Sequence, residues 1–287
     1  MPMTINTNMQ SLNAQRNLST SQSSLSLSMQ RLSSGLRVNS AKDDAAGLAI
    51  AERMNSQVRG MNVAVRNAND GISMSQTAEG ALGKVTDSLQ RMRELSVQAA
   101  NATNSNADKD SLDKEFGELS KEIQRVLGGT SFNGQHILGA EAGTKTFQVG
   151  ANTSSNDTID ITTIDMTADA TISTVAGTDN TGAGRAVIDN TADATAIRTV
   201  IDNIDKAIDT VSGQRAIMGA SQSRFDSVIA SLQVNVENQS SARSRIMDTD
   251  FAAETANLSR ANILQQAGNA MVAQANQLPQ QVLSLLR

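Results

Sequence analysis

The side chains that could do chemistry are few and scattered. Two adjacent carboxylates, Asp43 and Asp44, follow Lys42 at what reads as a helix start, where acidic groups serve the helix dipole rather than acid–base catalysis. Oxygen-bearing side chains crowd Asn156 to Asp165, a run that could hold calcium. It lacks the spacing and the glycine of a helix–loop–helix calcium site, so it reads as a solvated loop. His136 follows the turn signal Asn133-Gly134 and belongs to a loop or a strand edge. With one histidine and no cysteine, the chain has no His-dependent dyad, no multi-His or thiolate metal site and no disulfide. No phosphate loop, nucleophile elbow, zinc-protease helix or dinucleotide fingerprint occurs. The sequence predicts no enzyme, no cofactor and no metal site. Arg91, Arg93 and Glu94 are charged neighbours on a predicted helix, and by themselves they read as a solvated face.

The rest of the composition points to architecture. Of 287 residues, 2% are aromatic, with five Phe and neither Tyr nor Trp, which disfavours a compact core built on large rings. Two Pro and 12 Met favour long helices packed through Leu, Ile, Val, Met and Ala. The net charge of −5 comes with no basic stripe, which argues against a nucleic-acid partner. No apolar run approaches the ~18 residues that would span a bilayer, so no membrane partner is predicted. Residues 1–40 hold no apolar core of a secretory signal. If the protein leaves the cell, it does so by another route.

Periodicity supplies the elements. Ala51, Met54, Val58, Met61, Val65, Ala68 and Ile72 alternate steps of three and four, and Leu82, Val85, Leu89, Met92, Ser96 and Ala99 resume the pattern. The frame shifts between these runs where Gly71, Gly80 and Gly83 cluster, which predicts overwinding or a break. Leu112, Phe116, Leu119, Ile123 and Val126 mark a helix that Gly128-Gly129 should end. The longest seam runs in one frame from Ile197 to Val236 with only Arg215 and Gln222 polar. Such helices, ~60 and ~80 Å long at 1.5 Å per residue, do not fit a compact globule of this size and predict a rod. Thr146–Val149 and Thr158–Ile161 alternate as the strands of a hairpin, and the Asp/Gly/Thr segment after Met166 reads as a surface loop or irregular cap.

The two ends are unlike the middle. Up to Gln30 the only charge is Arg16, and from Thr255 to Leu286 it is Arg260. Ile5, Met9, Leu12, Leu25, Met29, Leu32 and Leu36 give the first end one thin apolar stripe. Leu264, Met271, Ala275, Leu278, Val282 and Leu285 give the other end a heptad frame, with Gly268 at the missing step and Pro279 expected to kink the helix or shorten it. One-striped, uncharged helices are marginal alone and gain stability by packing on partners.

The motifs then converge. The run Gln30-Arg31-Leu32-Ser33-Ser34-Gly35-Leu36-Arg37-Val38-Asn39-Ser40-Ala41-Lys42-Asp43-Asp44-Ala45-Ala46-Gly47-Leu48-Ala49-Ile50 resembles the N-terminal signature of bacterial flagellin. Gln90-Arg91-Met92-Arg93-Glu94-Leu95, Phe132-Asn133-Gly134, Asn262-Ile263-Leu264-Gln265-Gln266-Ala267-Gly268 and Leu283-Ser284-Leu285-Leu286-Arg287 fit the same family. The resemblance covers roughly residues 1–138 and 199–287. It implies a mainly α fold, an elongated rod of antiparallel coiled-coil helices formed by both chain ends with a small β-hairpin element. Residues 1–44 plus 243–287 would form an inner filament-core tier, and residues 45–242 an outer-core helical domain with the hairpin around 131–191 and no large outer domain.

The function implied is that of a subunit that self-polymerises into the helical flagellar filament used for swimming. Export would be unfolded, through the flagellar type III apparatus, to an extracellular filament. The partners implied are further copies of the chain, an export chaperone on the C-terminal helix, a distal cap protein, hook-associated junction proteins and a host Toll-like receptor. Receptor contact would carry over to Arg91 and Leu95, which lie four apart on one helix face, and to Glu115 on the next helix. The two apolar stripes would pack the filament core. A hook–filament junction protein of the same family is the alternative.

Overall fold

The computed structural model describes residues 7–285, with side chains described as far as residue 277. Its elements are α1 (Met9–Ser34), α2 (Ala45–Ala99), α3 (Asn106–Gly129), β1 (Ser131–Phe132), β2 (Gln135–His136), β3 (Thr144–Gln148), β4 (Thr158–Thr162), α4 (Ala170–Ala176), α5 (Ala194–Met247) and α6 (Phe251–Leu285). Compact contacts divide the chain into one unit of residues 1–56 and 237–287 and a second of residues 57–236.

Local chemistry sets the helix ends. Asn8 caps α1 by accepting from the Ser11 N–H, and Gly35 ends it in the left-handed region at φ 71°, where a side chain would be strained. Asp44 Oδ1 accepts from Gly47 N–H at 2.7 Å at the start of α2. Ser105 and Asp108 form a reciprocal capping box on α3, and Asp250 accepts from the first free N–H groups of α6. Helix α3 ends at Gly129, as the glycine pair predicts.

In the second unit, faces of α2, α3 and α5 meet around one core that includes Leu82, Leu89, Met92, Phe116, Ile123, Met218 and Phe225. Every seventh residue of α5 from Ile197 to Leu232 is buried. Helix α2 corrects the predicted break, because it is continuous through Gly71, Gly80 and Gly83. Its buried stripe runs Met61, Ala64, Ala68, Gly71, Ser75, Ala78, Leu82 and on to Ala99 without a change of frame. Small residues carry the seam through the region where large apolar residues fall out of step.

The predicted hairpin is present. β3 and β4 pair antiparallel with Phe147 opposite Ile159 and Lys145 opposite Ile161. Phe147 meets Phe225 of α5 edge to face at 5.6 Å between ring centroids. A smaller β1–β2 hairpin turns at Asn133 and Gly134, both at positive φ.

The segment after Met166 differs from a surface loop. It contains α4, whose Ile172, Val175 and Ala176 are buried with Met166 and Ile188. Polar side chains of α3 hold it: Ser120 donates to Ala176 O, Gln124 to Gly177 O, and Asp113 pairs with Arg185 and accepts from Ile188 N–H.

Candidate functional site

The first unit is built on the antiparallel pairing of α1 and α6. The inward side of α1 carries Ser11, Ala14, Leu18, Ser21, Leu25, Ser28 and Leu32, and that of α6 carries Glu254, Leu258, Ala261, Gln265, Gly268, Val272 and Ala275. All are buried or half-buried, and both rows alternate steps of three and four. Leu18 lies over Gly268, where an added Cβ would sit 3.1 Å from Leu18 Cδ1. At one end Asn8 donates to Ala275 O at 2.7 Å and Ser11 Oγ to Asn276 Oδ1 at 2.7 Å. At the other end Arg31 and Glu254 pair at 3.9 Å.

This seam uses only part of the predicted stripes. Leu25 and Leu32 lie in it, half-buried, Ala275 is buried in it, and Leu36 packs on a small cluster of Val38, Ala51 and Met247. Met9, Leu12 and Met29 on α1 and Leu264 and Met271 on α6 lie outside the two buried rows and are exposed, Met9 by 67% and Met271 by 63%, with Leu264 and Met271 lining an open groove beside Leu18 and Gly268. Leu27, Phe251 and Ile263, which the stripes omitted, are exposed as well. Ile5 lies outside the described residues, as do the side chains of Leu278, Val282 and Leu285. The backbone of α6 continues as helix through Pro279 to Leu285, so the proline does not shorten it there.

The physical consequence is a helix pair with two kinds of surface. Its own seam is narrow and mixes small residues with a few Leu and Val. Its outward surface keeps large aliphatic side chains in water while carrying almost no charge. Fully burying one Leu, Ile or Met side chain is worth roughly 1.5–3 kcal/mol, so a handful of them covered by neighbours would outweigh much of the cost of association.

A second set of surface residues lies in the other unit. Arg91 on α2 bonds Glu115 on α3 at 2.9 Å and Glu94 at 2.9 Å. These bonds, Glu94's first, raise the Arg91 pKa further above its already high value, so its charge is fixed at any ordinary pH. Arg93 makes a separate two-pronged pair with Asp205 of α5. Leu95 departs from the expectation. Although four residues from Arg91, it is 1% exposed and belongs to the core, because the buried stripe of α2 is wide enough to take it. The accessible group is therefore Arg91 with Glu94 and Glu115.

The remaining candidates are structural. Asp43 accepts from Asn39 N–H, Ser40 N–H and Ser40 Oγ–H. The Ser40 hydroxyl and N–H bonds, chief among these, hold its carboxyl below its usual pKa. His136 is exposed on β2, and its backbone N–H donates to Glu141 Oε2 at 2.6 Å. The Asn156–Asp165 run supplies β4 and a 3-10 turn capped by Ser154. Among the described residues no three His, Cys, Asp or Glu side chains come together as a metal site, and no helix is long and apolar enough to cross a membrane.

Comparison with known proteins bears on this arrangement directly. The family described as "Bacterial flagellin N-terminal helical region" matches residues 5–143, and "Bacterial flagellin C-terminal helical region" matches residues 201–286. A protein named "Flagellin" from Halalkalibacterium halodurans is 45% identical over 285 residues, covering 99% of this chain and 100% of its own. One of the same name from Serratia marcescens is 42% identical over 352 residues, covering 100% of both. A solved structure titled as a putative flagellar hook-associated protein from Vibrio parahaemolyticus aligns over 72% of this chain and 100% of its own, with a TM-score of 0.59 at 13% identity. At that identity the likeness is one of fold alone.

Proposed function

The chain belongs to the bacterial flagellin family and is a structural subunit of the flagellar filament rather than an enzyme, and we propose that α1 and α6 build the polymer's innermost tier by burying their outward apolar side chains against other copies. The observation that carries this reading is the exposure of Met9, Leu12, Met29, Leu264 and Met271 on two helices that bear almost no charge. Unpaired charge is costly when helices stack closely around an axis. A surface that is complementary to a different surface of the next copy, and does not close into a ring, gives a helical polymer.

Around this core, residues 1–44 with 243–287 form the inner tier, and residues 45–242 form the outer-core domain without a large further domain. The filament serves swimming and lies outside the cell. The chain reaches it unfolded through a type III route, a reading supported by the absence of any cysteine that could cross-link it. The export chaperone takes α6 while it is still unpaired. A distal cap protein and hook-associated junction proteins adjoin the polymer's ends. A host Toll-like receptor reads the Arg91–Glu115 surface, with Leu95 supporting it from the core rather than touching the receptor.

Substitution tests the central part. Met9→Ser with Met271→Ser removes apolar surface that the chain's own fold leaves exposed, so helix content is retained while filament yield falls at least tenfold. Unchanged filament yield contradicts the proposal. Charge reversal at Arg91 that leaves receptor signalling intact contradicts the receptor assignment.

A further inference from the structure

We infer that Met9, Met29 and Met271 are sites of reversible sulfur oxidation by a peroxide, and that this modification keeps the unassembled chain out of the polymer. The proposal rests on the reading of α1 and α6 as the packing surface between copies. The chain has no Cys, Trp or Tyr and a single His, against 12 Met. Thiol chemistry is therefore absent, and the methionine thioether is the soft, oxidisable group that remains. Burial sorts these thioethers into two groups. Met61, Met74, Met92, Met166, Met218 and Met247 are buried, Met247 being the most accessible of them at 8%. Met54 is half-buried, and Met1 and Met3 lie outside the described residues. Met9, Met29 and Met271 are exposed, Met29 by 53%. Among the described residues every exposed thioether thus lies on α1 or α6. Accessible sulfur coincides with the apolar surface that other copies would cover.

The chemistry is an oxygen-atom transfer. The O–O bond of hydrogen peroxide breaks as one oxygen bonds to the thioether sulfur. The sulfur gives up two electrons, and the other oxygen leaves as water. In the reverse step a dithiol-dependent sulfoxide reductase returns two electrons to the sulfur, the dithiol becomes a disulfide and the oxygen leaves as water. The product carries a strong hydrogen-bond acceptor where the parent side chain is apolar. In the unassembled chain water solvates that oxygen at these exposed positions. Against a neighbouring copy the water is lost, and a polar group buried without a hydrogen bond is costly. The buried sulfurs of the chain's own cores are shielded, so a mild dose alters the assembling surface and leaves the fold intact.

The test uses the unassembled full chain, treated with hydrogen peroxide at a dose that adds roughly one oxygen per chain. Peptide mass spectrometry then locates each sulfoxide. Met9, Met29 and Met271 should oxidise at least tenfold faster than Met74, Met92, Met166 and Met218. The partly oxidised sample is next assembled with a sulfate salt, and every site is compared between filaments and the unassembled remainder. Sulfoxide at the three exposed positions should be enriched in the remainder at least fivefold more than sulfoxide at Met54. Treating the remainder with methionine sulfoxide reductases for both epimers and dithiothreitol should return it to filaments. Equal rates at the exposed and buried sites overturn the proposal. So does equal enrichment at all four positions, or a remainder that stays unassembled once its sulfoxides are reduced. The chain carrying Met9→Ser with Met271→Ser judges the underlying reading separately. If that chain fails to polymerise while the sulfoxides partition evenly, the oxidation proposal alone falls. If it polymerises as the parent does, the packing reading falls whatever the sulfoxides do.

Discussion

Gly71 of α2 lies directly against the ring of Phe225 of α5: a Cβ at residue 71 would sit 2.6 Å from Phe225 Cζ. Phe225 is fully buried, and its other contacts include the edge-to-face ring of Phe147 from the hairpin. One glycine therefore lets a long helix approach the aromatic residue that also anchors the β-element. Gly71→Ala should force the ring aside. Overpacking of this kind costs about 1–3 kcal/mol, partly offset by alanine's better helix propensity of ~1 kcal/mol. Chemical denaturation should show a net loss of stability, and Phe225→Leu in the same background should recover part of it.

Gly80 and Gly83 should behave in the opposite way. An added Cβ at either meets nothing within 4 Å, and helix interiors favour Ala over Gly by roughly 0.5–1 kcal/mol. Each alanine variant should stabilise the unassembled chain by about that amount in urea unfolding. If these glycines serve a switch between nearly equal packings in the filament, the double variant should also change filament handedness or curvature. Unaltered filament shape would count against that role.

These glycines show what could be read in advance and what could not. Large apolar residues at steps of three and four locate α2, α3 and α5, and alternation locates β3 and β4. Where a seam is made of small residues the same signal misleads. The stripe Ala64, Ala68, Gly71, Ser75 and Ala78 holds α2 in one frame, yet its residues look like a gap. The α1–α6 seam repeats the lesson. Ser11, Ala14, Ser21, Ser28, Ala261, Gly268 and Ala275 supply half of it beside Leu18, Leu25, Leu32, Leu258 and Val272, while Met9, Leu12, Met29, Leu264 and Met271 lie outside. Large aliphatic periodicity in the tails thus mixed seam residues such as Leu25 and Leu32 with exposed ones such as Met9 and Met29. Leu95 was misplaced for a related reason, since the four-residue spacing from Arg91 says nothing about how wide the buried stripe is. The packed segment around α4 was hidden because side chains of α3 bond to its backbone, and short polar stretches carry no periodic mark of that.

The Asp113–Arg185 pair should hold that segment. Arg185 forms two bonds to Asp113, lies over the Phe116 ring at 5.9 Å and covers Gly117. The side chains of Arg185 and Asp113 are 18% and 12% exposed, so the pair is largely withdrawn from water. Removing one partner leaves a charge uncompensated and should cost about 3 kcal/mol. Arg185→Met should speed amide exchange in residues 166–190 well before the core of α2 and α5 is affected.

The same pair gives a pH dependence. Burial, the largest influence on Asp113, raises its pKa, but the bonds from Arg185 and from the Ile188 N–H together outweigh it and hold the carboxyl below its usual value. A depressed folded pKa means that the stabilisation is complete above the unfolded value near ~4 and is lost as pH falls through the folded one. Urea stability of the unassembled chain should therefore fall more steeply below pH ~4 in the parent than in Asp113→Asn. Equal slopes would show that this pair contributes nothing to acid sensitivity.

Electron microscopy of the full chain after addition of a sulfate salt, beside a chain lacking Phe251–Arg287, tests the central claim most directly. Sulfate strengthens apolar burial, and the truncation removes α6, with it both the seam for α1 and half of the outward apolar surface. Long helical filaments from the full chain and none from the truncated one are the predicted result. Filaments of equal length from both, or none from the full chain even when seeds are added, would contradict a polymer core built by the paired terminal helices.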